Sequence, residues 1–258
     1  MTASTSHRSL GLAASAPAPG PIPFSRLVRV EWEKATDTRA ARWLLGLAGL
    51  STIGMAMVPV LAPRTFDQSH ASYVRVAALG LTILLPVVAI LMLTGEWSQR
   101  SILTTFTQEP RRLRVVTAKL AVSVVLSLGG ALFGGVVAAG AIGLAASSGR
   151  ALDADLSGGV VAGYVLFVLL NVLAGVALGA LLQSSAAAIA ASFALPATVA
   201  ALATASTLVE NWIDMSTWNW VLEGEWSGHE PQIAFSIAFW VGVPLAAGVV
   251  RTIRRDVS

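Results

Sequence analysis

Five stretches of this chain contain no Asp, Glu, Lys or Arg, and they limit what it can fold into. They are residues 43–63, 76–95, 120–149, 156–209 and 231–250. A helix needs about 20 apolar residues to cross the ~30 Å hydrocarbon core of a bilayer, and each stretch reaches that length. A surface helix of a soluble protein would carry a polar face instead. The sequence therefore predicts an all-α integral membrane protein.

The longest stretch, 156–209, has 54 residues. At ~1.5 Å per residue it would extend about 80 Å, which is too long for one crossing. We divide it at Gln183-Ser184-Ser185, the polar cluster near its middle. The six predicted transmembrane helices are 43–61, 76–94, 120–146, 158–182, 186–209 and 232–250.

The segments outside these helices predict where the two termini lie. Residues 1–23 are rich in Ala, Ser and Pro and are predicted to be a disordered tail. Residues 24–42 mix apolar and basic side chains, which favours an amphipathic helix at the membrane interface over a plain solvated helix. With the N-terminus inside, fourteen Lys and Arg fall on inner segments and three, Arg64, Arg75 and Arg150, outside. The positive-inside rule then predicts cytosolic termini, with 251–258 as a basic cytosolic tail.

The chain lacks the residues that several classes of function require. No Asp, Glu, Lys, Arg or His lies within a predicted span, so an intramembrane enzyme and an ion-coupled carrier are not expected. Asn171 is predicted to make a hydrogen bond between helices rather than to bind a substrate, which is the alternative. The two lysines, Lys34 and Lys119, do not follow glycine, so there is no phosphate-binding P-loop. The chain has no cysteine, and no basic stripe that predicts nucleic-acid binding.

The inner segment 95–119 reads GEWSQRSILTTFTQEPRRLRVVTAK. Ser101 is predicted to cap a helix over 102–108 that ends before Pro110. Movement of this segment would pass directly to spans two and three. In the alternative interpretation it is an anchor loop whose arginines, Arg111, Arg112 and Arg114, bind anionic head groups.

This segment resembles the permease family of ABC-2-type ABC transporters. The resemblance rests on Gly95-Glu96-Trp97, Thr104-Thr105, Pro110-Arg111-Arg112 and Ala118-Lys119. Val30-Glu31, Lys34, Thr38-Arg39 and Trp43 resemble the family's N-terminal interfacial helix. Its last span and basic tail are resembled by Trp240, Pro244-Leu245, Gly248, Arg251 and Arg254-Arg255-Asp256-Val257.

The resemblance implies a permease without a cofactor of its own, in a bacterial cytoplasmic membrane. It would form a homodimer or a pair with a similar subunit, joined to cytosolic ATPase subunits that bind ATP and Mg²⁺. The residues implied in ATPase coupling are Glu96, Trp97, Thr104, Thr105, Pro110, Arg111 and Arg112. Spans two and five would line the translocation path, where Pro86 and Pro196 serve either as hinges or as static bends.

The outer loop 210–231 holds four of the eight tryptophans: Trp212, Trp218, Trp220 and Trp226. Tryptophan prefers the head-group zone, so this loop is expected to anchor at the outer leaflet or to cap the exit, as in similar permeases. The predicted function is export of an amphipathic or hydrophobic compound, such as a drug, antibiotic, peptide or lipid. The alternative is a membrane anchor, or an immunity or sensor protein, without transport.

Overall fold

The computed structural model describes residues 22–98 and 111–254, and the regular structure in these residues is helical apart from one isolated β-bridge between Ser69 and Asp153. The helices are α1 (Phe24–Asp37), α2 (Arg39–Leu61), α3 (His70–Thr82), α4 (Leu84–Ser98), α5 (Arg112–Ser147), α6 (Gly158–Leu182), α7 (Ser185–Ala203), α8 (Thr207–Trp212), α9 (Trp218–Glu223), α10 (Glu230–Ile237) and α11 (Val243–Arg254). A 3₁₀ turn at Met215–Thr217 precedes α9, and a π-helical turn at Ala238–Gly242 joins α10 to α11.

Within the described residues, six helical segments are long and apolar enough to cross a membrane, as predicted. Spans one, three, four and five are α2, α5, α6 and α7. Span two is α3 with α4, and span six is α10 with α11. The chain thus has the architecture of a multi-pass membrane protein. The predicted tail before Ile22, the predicted helix over 102–108, and Thr104, Thr105 and Pro110 lie outside the described residues.

Several spans begin or end at other residues than the charge-free stretches predicted. Span two begins at His70 rather than at Val76, because the Ser69 hydroxyl caps it by accepting a hydrogen bond from the Ser72 amide. Span three begins at Arg112 rather than at Leu120. Span five ends at Ala203 rather than at Val209, since Ser206 caps the separate helix α8. Charged residues therefore mark where a span stops being apolar, but they do not mark where its helix begins or ends.

The predicted interfacial helix over 24–42 is divided in the structure. Helix α1 ends at Asp37, and the Thr38 side chain caps span one by accepting a hydrogen bond from the Ala41 amide at 3.1 Å. Arg39 and Arg42 therefore belong to span one. The apolar face of α1 packs on spans two and three, where Ala35 joins a small buried cluster with Met92 and Val122.

Span two is interrupted at Ile83, between α3 and α4. Pro86 explains the break, because it has no amide hydrogen and its ring clashes with the carbonyl four residues earlier, at Thr82. Close packing holds both halves of the span in place. Gly80 packs against the backbone of Thr52 in span one, and a Cβ on Gly175 in span four would lie 2.9 Å from the Pro86 Cβ.

Candidate functional site

Four charged residues from three parts of the chain meet at the end of the bundle where α1 lies. We call them the ionic cluster: Glu31 and Lys34 from α1, Glu96 from the end of span two, and Lys119 from span three. The Lys119 Nζ donates to Glu31 Oε2 at 2.6 Å, and it lies 3.4 Å from Glu96 Oε2. The Lys34 Nζ donates to Glu31 Oε1 at 2.9 Å and to Glu96 Oε1 at 2.6 Å.

Most of the ionic cluster is shielded from solvent. The side chains of Lys119, Glu31 and Glu96 are 4%, 5% and 9% exposed, while Lys34 is partly exposed. Burying an isolated charge costs several kcal/mol, so such groups must be compensated by partners of opposite sign. Two carboxylates and two ammonium groups give the cluster a formal charge of zero. The same pairing keeps its members in one fixed arrangement.

The pKa of Lys34 shows that the ionic cluster favours the charged form of this side chain. Burial alone would lower the pKa of Lys34, but hydrogen bonds and Coulombic attraction to Glu96 and Glu31 outweigh it. The pKa of Lys34 is therefore raised above its ordinary value. The ammonium group of Lys34 therefore stays protonated at neutral pH.

The ionic cluster holds the two ends of the segment proposed to couple to an ATPase. Glu96 precedes the part of the segment that lies outside the described residues, and Lys119 follows it. The Arg114 Nη2 also donates to the Ile22 carbonyl at 2.6 Å, just before α1. Of the predicted coupling residues, Glu96 is in the cluster, Trp97 continues α4, and Arg111 and Arg112 are at the start of α5.

The sequence interpretation named all four members of the ionic cluster but did not predict that they meet. They served there as ends of apolar stretches or as parts of a resemblance. A signal was available, because Glu96 is the first charge after one uncharged stretch and Lys119 the last charge before the next. Charges at the same end of consecutive antiparallel spans lie at one depth, and opposite signs favour contact there.

A small pocket lies where spans two, four and five approach one another. Its volume is about 50 Å³, and both Pro86 and Pro196 line it. The structure thus brings together the two prolines that the resemblance implied for a translocation path. The pocket also contains Trp240 and Phe193, with the polar side chains of Thr82, Asn171 and Ser192. Its lining contains no formal charge.

Asn171 does not make the hydrogen bond between helices that was predicted for it. Its Nδ2 donates to the Phe167 carbonyl of its own helix at 2.8 Å, instead of bonding to another helix. The amide therefore satisfies a donor locally while its side chain lines the pocket. An uncharged pocket with amide and hydroxyl groups is suited to an amphipathic molecule more than to a hydrated ion.

The segment from α8 to α10 forms a packed layer at the other end of the bundle, which we call the outer layer after the side predicted for it. Trp218 is fully buried, and Val221 of the same helix contacts Gly163 in span four. Trp220 stacks on His229 with ring centroids 3.9 Å apart, and Trp212 meets Phe235 edge-on at 5.8 Å. The four predicted outer tryptophans therefore differ in role, because Trp226 and the other two are at least partly exposed.

Span six contacts this outer layer through a side-chain hydrogen bond. The Trp240 indole nitrogen donates to the Ile213 carbonyl at 2.6 Å, and Trp240 belongs to the π-helical turn. The same side chain lines the pocket. Trp240, which the sequence interpretation assigned only to the last span, thus connects the outer layer to the pocket.

The fold and its sites define a class, a multi-pass helical membrane protein with a buried ionic cluster at one end. Comparison of the sequence with protein-family models and with curated proteins finds no match.

Proposed function

We propose that this chain is the permease subunit of an ABC-2-type ABC transporter. It would export an amphipathic or hydrophobic compound with energy from ATP that a separate ATPase subunit hydrolyses with Mg²⁺. The observation that carries this proposal is the ionic cluster. It ties Glu96 and Lys119, near the two ends of segment 95–119, to α1 and to each other, as a segment that receives mechanical work requires.

The proposed orientation puts both termini and the ionic cluster at the cytosolic face of a bacterial plasma membrane. The excess of Lys and Arg on that side supports it. An ATPase binding at segment 95–119 would then push on spans two and three together, because Lys119 of span three pairs directly with Glu96 of span two and both are linked to α1, through Glu31 and Lys34. Span two carries the motion to its break at Ile83 and to the pocket behind it.

The pocket supports a two-state transport cycle. Its volume of about 50 Å³ holds only a few water molecules, so the described conformation is closed to a drug-sized compound. Separation of spans two and five would open it, since Pro86 and Pro196 lie on those spans. Uncharged polar groups and two aromatic rings in the pocket favour a substrate with both polar and apolar parts.

The first test is whether an ATPase copurifies with the tagged chain from its own cells in mild detergent. We expect a nucleotide-hydrolysing partner in a fixed ratio. Arg111→Glu should reduce the recovered ATPase about tenfold or more, because losing a few charge-assisted contacts costs ~1.5–3 kcal/mol each. Arg111 is exposed just before α5.

Arg64→Glu is the matched control, since Arg64 is also exposed but lies in the loop at the opposite end of span one. It should copurify with the ATPase as the unchanged chain does. If the unchanged chain purifies alone under conditions that preserve other transporter complexes, the permease proposal fails. An anchor, immunity or sensor role would then be the better hypothesis.

Span five supports the proposal of a paired permease. Only 6% of the residues in an apolar 18-residue stretch of span five are buried within the chain, against 28% to 72% in the corresponding stretches of the other spans. Its sequence, SAAAIAASFALPATVAALA, is dominated by alanine. Small residues let two transmembrane backbones approach closely. We therefore assign span five to the contact between two permease subunits.

A cysteine cross-link tests this contact. The chain has no cysteine of its own, so any disulfide must form through the introduced residue. Ala194→Cys, on the exposed surface of span five, should give a disulfide-linked dimer when membranes are oxidised. Ala139→Cys is the control, because it is an equally exposed alanine on span three. Equal cross-linking of the two variants, or none in either, would contradict a dimer through span five.

A further inference from the structure

An apolar groove of about 250 Å³ lies between α1 and spans one, two and three. Trp32 and Phe133 line it and remain partly exposed, so the groove is open along one side. Gly129 also lines it, and a Cβ at Gly129 would meet no atom within 4 Å. None of its lining residues belongs to the pocket of Pro86 and Pro196. The groove is therefore a separate feature.

The position of the groove along the helices matches one leaflet of a bilayer. On span three its lining runs from Leu126 to Phe133. At ~1.5 Å per residue this part begins about 10 Å and ends about 20 Å from the level of Lys119. Half of the hydrocarbon core is about 15 Å thick. A groove of this depth suits an acyl chain that enters from the side of the ionic cluster.

An open basic depression lies at the same end of span one. Arg39, Arg42 and Trp43 line it, and its volume is about 350 Å³. Arg42, Leu45 and Gly49 are spaced by three and four residues, so they share one face of the helix, and Leu45 and Gly49 line the groove. Helical side chains tilt toward the N-terminus, which directs Arg42 toward the head-group level.

The charges at this depression are available for a ligand. Among the residues that the structure describes, neither Arg39 nor Arg42 makes an ion pair through its side chain. Span one contains no acidic residue, and none lines the groove; Asp37, at the end of α1, is the nearest in sequence. Two guanidinium groups beside exposed tryptophans match a phosphate at the head-group level.

We propose that an anionic phospholipid binds here, with one acyl chain in the groove and its phosphate on Arg39 and Arg42. The apolar lining selects a hydrocarbon chain, and the arginines select a negative head group. Phosphatidylglycerol carries a net negative charge and phosphatidylcholine does not, so the two lipids separate the contributions of charge and chain. The inference does not depend on the transport proposal, because it uses neither the pocket nor an ATPase.

The test is a titration of the full delipidated chain in mild detergent, followed by native mass spectrometry. We expect one phosphatidylglycerol to bind saturably, about tenfold more tightly than phosphatidylcholine, as one charge-assisted contact provides. Arg39→Gln/Arg42→Gln should abolish this preference but leave weak binding of both lipids. Gly129→Leu should fill the groove and weaken both lipids by about tenfold or more, since it excludes an acyl chain.

Two matched controls separate these effects from nonspecific ones. Arg26→Gln removes an exposed positive charge on α1, and Gly143→Leu adds a side chain at another open, exposed glycine of span three. Both should bind phosphatidylglycerol as the unchanged chain does. Absence of saturable binding, or equal effects of test and control substitutions, would overturn the proposal. A change in oligomeric mass with Gly129→Leu, at unchanged lipid binding, would instead make the groove an interface between copies.

Discussion

Lys119→Met is expected to destabilise the protein by about 3–5 kcal/mol, the usual cost of leaving a buried charge without its partner. The ammonium group of Lys119 is almost fully buried and lies between Glu31 and Glu96. Without it, the two carboxylates would keep only Lys34 as a counter-charge among the four members of the ionic cluster. The measurement is thermal unfolding in mild detergent, followed by the monodisperse fraction in size-exclusion chromatography.

A second substitution distinguishes charge imbalance from loss of packing. Glu31→Gln added to Lys119→Met restores a formal charge of zero and leaves the Lys34–Glu96 pair in place. The double variant should recover most of the lost stability. Glu33→Gln is the control, because it breaks only the exposed Arg29–Glu33 pair of α1 and should change stability by less than about 1 kcal/mol. If the double variant instead loses as much stability as the two single substitutions together, the charges of the cluster do not compensate one another.

Trp218→Ala is expected to cost about 3–5 kcal/mol, as truncation of a buried tryptophan does. Trp218 has no exposed surface, and its helix α9 packs on span four through Val221 and Gly163. The outer layer should therefore detach from the bundle. Limited proteolysis of the outer loop, together with thermal unfolding, measures this loss.

Trp218→Phe and Trp212→Ala are the controls for this site. The Trp218 indole nitrogen has no hydrogen-bond partner among the described residues, so phenylalanine keeps much of the packing and removes an unsatisfied donor. It should cost well under half as much as alanine. Trp212 is exposed beside Phe235, and its truncation should have a small effect. If Trp212→Ala destabilises as much as Trp218→Ala, the outer layer depends on surface contacts instead.

The spans could be predicted from the sequence because membrane crossing imposes a length and a composition on each helix. Span four, at Gly158–Leu182, agrees with its prediction at both ends, since Ser157 and Gln183 flank the apolar stretch closely. Span two does not, because a helix continues through Arg75 once Ser69 caps it. A charge near the end of a span can reach the interface without ending the helix.

The sites were predicted only as separate residues. Pro86 and Pro196 were named for their positions along two helices, and their common pocket depends on how span four packs between them. Gly175 decides that packing, because any larger side chain there would meet Pro86. Similarly, burial of Trp218 depends on Gly163, far away in sequence. Contacts across helices depend on which face each helix presents, and nearly uniform apolar composition hides that face.

The ionic cluster also has a consequence for the order of assembly in the membrane. Its members leave the ribosome in sequence, with Glu31 and Lys34 first, then Glu96, and Lys119 last. Until Lys119 arrives, the other three carry a net negative charge that cannot be buried cheaply. Helix α1 can therefore take its final position only after the hairpin of spans two and three is inserted. Helix α1 is therefore synthesised before these spans but docks on the bundle after them.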